Sequence, residues 1–129
     1  MSVIAIAKSV RISPRKVSEV ATLVRGRTVA DALVILENTP RNAATQVIKT
    51  IKSAQANAGH NHNYKVESLR ITEISVTPGP RSKRFRPVSR GMAHPYQKRT
   101  SHIRVVVDGE MRAAKKPAAV KPVTKKEAK

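Results

Sequence analysis

Residues 78–102 read PGPRSKRFRPVSRGMAHPYQKRTSH, with seven Lys or Arg and no Asp or Glu. Like charges this close repel until a polyanion neutralises them, so the segment cannot form a core of its own. Structureless connections longer than roughly 12–15 residues are uncommon in compact domains and are usually functional or disordered. The sequence on either side decides what this segment is. Leu69, Ile71, Ile74 and Val76 precede it in a strand-like run, and Ile103, Val105 and Val107 follow in the alternating stretch IRVVVD. If the two strands pair antiparallel, the basic segment is one long hairpin arm. Its legs of about ten residues would reach roughly 30 Å at about 3.3 Å per residue. Gly91 is the expected tip, since a tight reversal favours positive φ. Pro78, Pro80, Pro87 and Pro95 remove backbone donors and predict stiff legs without a regular ladder. The apolar parity changes between Ile71 and Ile74, which marks a bulge or a strand covered on both faces.

Upstream of the arm the chain alternates between strand and helix periods. Ile4, Ile6, Val10 and Ile12 share one parity, which predicts a half-buried strand over 3–12. Ser13-Pro14 predicts a helix start, with Val17, Val20, Ala21 and Val24 on its inner face and Gly26 at its end. Thr28 caps a second helix with Val29, Ala32, Leu33 and Leu36 inward. Thr39 as cap and Pro40 in the first turn predict a third, running to about Ala58 and closed by Gly59. HNHNYK follows as a polar loop. The expected fold is α+β: three helices packed on a small antiparallel three-stranded sheet, with the hairpin projecting from it. Residues 1–110, hairpin included, are expected to form one globular domain, and the Ala-, Lys- and Pro-rich residues 111–129 a disordered basic tail.

The chain has 129 residues, no cysteine and a net charge of +18, with pI ≈ 11.4. A pI above about 9 with clustered cations is the electrostatic signature of nucleic-acid binding. The charge is uneven: +7 in residues 78–102, +6 in 111–129 and +5 in all the rest. This is a nearly ordinary body with basic extensions. Without cysteine there is no disulfide, thiolate metal site or Cys nucleophile. No run of about 18 apolar residues predicts a membrane span. MSVIAIAKSV lacks the charged n-region of a signal peptide, so the expected location is cytoplasmic.

The arm carries the strongest functional signal. Arg81, Lys83, Arg84, Arg86, Arg90, Lys98 and Arg99 are its cations, and the planar fork of Arg suits phosphate and base stacking. Phe85 and Tyr96 can stack on unpaired bases or pack on each other across the hairpin. Arg11, Arg15, Lys16, Arg25 and Arg27 flank the first helix, where phosphate contact competes with a simply solvated face. His102 at the base of the arm suits a hydrogen bond to RNA. His60 and His62 have no further ligand at metal-binding spacing, and no metal or cofactor is expected. No glycine-rich phosphate loop, paired carboxylates or activated serine is evident, which argues against an enzyme.

Four motifs in order carry a resemblance: SPRKVSEVATLVRGRTVADAL, SAQANAGHN, GPRSKRFRP and KRTSHIRVVV, together covering about residues 8–108. The chain resembles the family of large-subunit ribosomal protein twenty-two, whose long hairpin lines the nascent-peptide exit tunnel. The resemblance implies a structural protein that binds 23S-type rRNA, contacts neighbouring large-subunit proteins and acts early in subunit assembly. The RNA-contacting legs would hold Arg81, Lys83, Arg84, Arg86, Arg90, Lys98, Arg99, Thr100, Ser101 and His102. Arg11, Arg15, Lys16, Arg25 and Arg27 would be the body contacts. The tip, Val88, Ser89, Arg90, Gly91, Met92 and Ala93, would face the tunnel lumen and the nascent polypeptide. The alternative from the charge alone is a DNA-bending architectural protein with a basic β-arm.

Overall fold

The computed structural model describes residues 2–112, so the tail expected at 111–129 lies outside the described residues from 113 onward. The elements in order are β1 (Val3–Val10), α1 (Pro14–Val24), α2 (Val29–Glu37), α3 (Asn42–Asn61), β2 (Arg70–Pro87) and β3 (Ala93–Asp108). Short 3-10 turns occupy Val66–Ser68 and Ser89–Gly91. The strands form one antiparallel sheet in the order β1-β3-β2, with the helices on one side of it. This is the expected α+β architecture.

The helical faces follow from sequence spacing. Val17, Val20, Ala21 and Val24 recur at three and four residues, and all are buried. Gly26 ends α1 at φ +75, a conformation costly for residues with a Cβ. Its N–H donates to the Ile71 carbonyl at 3.0 Å, which ties the α1–α2 turn to β2. Thr28 caps α2: its Oγ1 accepts the Asp31 N–H at 3.2 Å.

Two expected caps differ. The Ser13 side chain makes no capping bond, and only its carbonyl serves α1, accepting from Lys16 and Val17. Thr39 and Pro40 do not open α3. The Thr39 hydroxyl donates back to the Ile35 carbonyl at 2.7 Å, so it closes α2 and is not free to cap the next helix. α3 begins at Asn42 with Arg41 in the cap position, and it runs past Gly59 to Asn61.

β1 buries the parity opposite to the expected one. Val3 and Ala5 are buried, whereas Ile4 is 42% and Ile6 55% exposed. Alternation separates two faces without saying which one a helix covers. Here α3 lies against β1 at small residues, with Gln46, Lys49, Thr50 and Ser53 gathered beside Ala5 and Ala7. The core joins Val3 and Ala5 to Leu36, Val47, Ile51, Leu69, Ile71, Ile74, Ile103 and Val105.

Tyr64, in the loop taken as polar, is also buried at 1% exposure. Its backbone N–H bonds the Ala58 carbonyl at 3.0 Å, and it bridges Met111. The N–H of Arg112 donates to the Asn63 carbonyl at 2.7 Å, so ordered pairing reaches the last described residue.

β2 and β3 run on beyond the body as the arm. The expected bulge is present as a register shift between Ile71 and Glu73. The legs differ from expectation in being regularly paired: partners run without a break from Arg81↔Arg99 to Pro87↔Ala93. The prolines are tolerated because the arm is a two-stranded ribbon, where outward-facing donors have no neighbour to serve. Val88 continues the ladder by donating its N–H to the Met92 carbonyl at 2.9 Å. Arg90 (φ 59, ψ 31) and Gly91 (φ 68) then make the reversal. Positive φ at both central residues is the type I′ turn favoured by twisted hairpins, usually with Asn or Asp where Arg90 stands.

Candidate nucleic-acid interface

Cross-strand partners share a face of the arm, so the register sorts its side chains. One face holds Arg84, Arg86 and Lys98 with His94 and Tyr96; the other holds Arg81, Lys83 and Arg99 with Phe85 and Gln97. Both faces are therefore cationic. Residues 80–99 are all exposed except Val88, which is half-buried. Arg81 stands directly opposite Arg99, a like-charge pair that destabilises the free ribbon and favours a bound anion.

Phe85 pairs with Pro95, and Tyr96 with Arg84, so the two aromatics point to opposite faces and cannot pack together. Phe85 is 71% exposed. Tyr96 lies 5.7 Å from the Arg86 guanidinium, within range of a cation–π contact. Of the two uses the sequence left open for these rings, the register removes the cross-hairpin one.

The base of the arm is a joint. The Thr100 hydroxyl donates to the Pro80 carbonyl at 2.7 Å. Gly79 lies so close that an added Cβ would sit 2.5 Å from Thr100 Oγ1 and 3.3 Å from His102 Nε2. The Ser9 N–H donates to His102 Nδ1 at 2.9 Å and holds Ser9 at φ 55 inside the β1 irregularity. This bond assigns the ring proton of a neutral His102 to Nε2. Ser101 is the exception among the proposed contacts. It faces the core with 0% exposure, and its Oγ has no hydrogen-bond partner, so it packs the base of the arm and presents nothing to a ligand.

The body cations fall into two groups. Arg11 and Lys16 line one cleft of ≈ 380 Å³ with Ser13, Pro40, Arg41 and Asn42. Arg41 joins this cluster although the sequence pattern did not single it out, because only the fold brings the α2–α3 turn beside the start of α1. Its guanidinium also pairs with Glu19 at 3.1 Å. Arg15 is exposed on the first turn of α1. Arg25 and Arg27 stand beyond the other end of the helix, about 16 Å away at 1.5 Å per residue. There Arg25 donates to the Ile74 carbonyl at 3.1 Å and Arg27 to the Leu23 carbonyl at 3.0 Å. These two side chains are partly committed to the fold.

No helix of the described residues is long and apolar enough to cross a membrane. Among the described residues, no group of three or more His, Asp or Glu is placed to hold a metal ion.

Comparison with known proteins matches residues 5–108 to the family model described as Ribosomal protein L22p/L17e. A large ribosomal subunit protein uL22 of Latilactobacillus sakei is 53% identical over 106 residues, covering 82% of this chain and 91% of the relative. The uL22 proteins of Clostridium novyi and Clostridioides difficile are each 52% identical over 103 residues, covering 80% of this chain and 93% of the relative.

Proposed function

Because the chain belongs to the ribosomal protein L22p/L17e family, a family of structural proteins and not of enzymes, we propose that it is a constituent of the large ribosomal subunit that binds 23S-type rRNA. In this role it acts in the cytoplasm, among neighbouring large-subunit proteins, and helps the subunit assemble early. The observation that carries the proposal is the two-faced arm: cations on both sides of one ribbon, no acid, and no core of its own. A ribbon cationic on one face alone would lie on an RNA surface. One cationic on both suits a slot between RNA segments, where each face meets phosphate and the crowded backbones are screened from each other.

Arg81, Lys83, Arg84, Arg86, Lys98 and Arg99 are the leg contacts in this proposal. Thr100 and His102 act at the joint, and Arg11, Arg15, Lys16, Arg25 and Arg27 act on the body. The tip, Val88 to Ala93, faces the peptide exit tunnel and the nascent polypeptide. Its tight turn and the exposed Met92 support this assignment. Residues 1–112 act as one domain, two residues beyond the expected boundary, because Met111 bridges Tyr64 and Arg112 bonds the Asn63 carbonyl; the basic residues that follow act as an extension of it. Family membership sets aside the DNA-bending alternative. Sedimentation of a lysate tests the proposal: the protein should travel with large subunits, and recovery away from them would overturn it.

A further inference from the structure

The ladder shifts at the base of the arm, where three steps of β2 from Pro78 to Arg81 face two steps of β3 from Ser101 to Arg99. The extra residue is on β2, so β3 alternates without interruption. Its even-numbered residues, His94, Tyr96, Lys98, Thr100, His102 and Arg104, therefore stand on one continuous face. At the body this is the side of the sheet away from the helices: Arg104 is exposed while Ile103 and Val105 are buried. Ile6 and Ser75 flank Arg104, Thr77 flanks His102, and with Lys8 these six line an open groove of ≈ 460 Å³.

The groove is chemically coherent. Lys8 and Arg104 supply positive charge, Ser75 and Thr77 supply hydroxyls, and His102 offers an Nε2–H because Ser9 occupies Nδ1. The exposed flanks of Ile4 and Ile6 form an apolar shelf on the same face, suited to the carbon side of a ribose. Two acids stand further along this face: Glu73, a row on and opposite Val106, and Asp108, at the end of β3 and opposite Arg70.

We propose that this open sheet face is a further RNA-binding surface. It grips a sugar–phosphate backbone and is continuous with the Lys98–Tyr96 side of the arm. Charge complementarity selects RNA over a protein occupant, since the groove is rich in donors and carries no carboxylate. The inference rests on the RNA-binding proposal above and extends it to Lys8, Ser75, Thr77 and Arg104.

The test uses the full chain and protein-free large-subunit rRNA across a salt series. Relative to wild type, a Lys8→Gln/Arg104→Gln variant should bind on the order of tenfold more weakly, with a salt slope shallower by about 1.5 for two lost phosphate contacts. Unchanged thermal unfolding would show that the fold is intact, and an Arg84→Gln/Lys98→Gln variant reports the arm separately. Wild-type affinity and slope for the groove variant, with a weakened arm variant, would overturn this inference and leave RNA binding standing. Failure of the wild-type chain to bind would remove both. Wild-type RNA binding with loss of the groove variant from assembled subunits would make the face a protein contact and also overturn the inference. The chain has no cysteine, so Thr77→Cys carrying a photocrosslinker gives a second readout. Crosslinks to rRNA support the inference, and crosslinks confined to protein reject it.

Discussion

Gly79 and Ile74 show two kinds of dependence on a single side chain. At Gly79 the space is already filled by Thr100 Oγ1. A methyl group there must push the hydroxyl off the Pro80 carbonyl or open the joint. In Gly79→Ala, hydrogen exchange of the arm amides near 80 and 100 should accelerate on the order of tenfold to hundredfold, matching about 1–3 kcal/mol of overpacking. Body amides should keep their protection, and equal acceleration everywhere would show that Gly79 supports the whole fold. Ile74 is 1% exposed in the core beneath α1. Ile74→Ala leaves a cavity and should cost about 2–5 kcal/mol in chemical denaturation, whereas Phe85→Ala on the exposed arm should leave that value unchanged. A comparable loss from Phe85→Ala would mean that the arm packs on the body.

The arm is an element whose stability and use pull in opposite directions. It joins a regular ladder to opposed like charges, and a two-stranded ribbon of this kind is marginal in water. Deleting residues 81–98 should leave a cooperative thermal transition, because every core residue lies outside the deletion. Loss of that cooperative melt would disprove the separation of body from arm. At this scale the sequence was legible wherever local chemistry decides. The apolar spacing of α1, the Thr28 cap, the left-handed Gly26 and Gly91 and the bulge after Ile71 all follow from neighbouring residues. Choices made by distant partners were not legible. Ile4 and Ile6 read as core, yet α3 settles on the Ala5 side of β1. Thr39 read as a cap for the helix ahead but bonds the helix behind. Tyr64 looked like loop and is buried. Among the site residues, the arm cations could be read from charge alone, but their division between two faces needed the register. Ser101 dropped out because parity turns it inward, and Arg41 came in because folding brings the α2–α3 turn to α1.

Across the whole molecule, charge is unevenly divided along the chain. The body carries a small share of the +18, and the arm and the last nineteen residues carry the rest. Removing residues 113–129 should leave incorporation into large subunits intact, because every proposed RNA contact of the body and arm, from Lys8 to Arg104, precedes them. Truncated protein left in the free pool after subunit fractionation would show that the tail is needed for assembly. The bulge at the base of the arm also has a mechanical consequence. Because the extra residues at the base lie on β2 and β1 and none on β3, β3 is an unbroken spar from the turn at Gly91 to the centre of the sheet, flanked there by β1 on one side and β2 on the other. A pull on the tip along the arm axis draws β2 and β3 together and loads the β1–β3 row of hydrogen bonds in shear, so the bonds of that row share the force. The molecule is a cantilever whose beam is rooted in its best-buried strand, and its stiffness comes from that root.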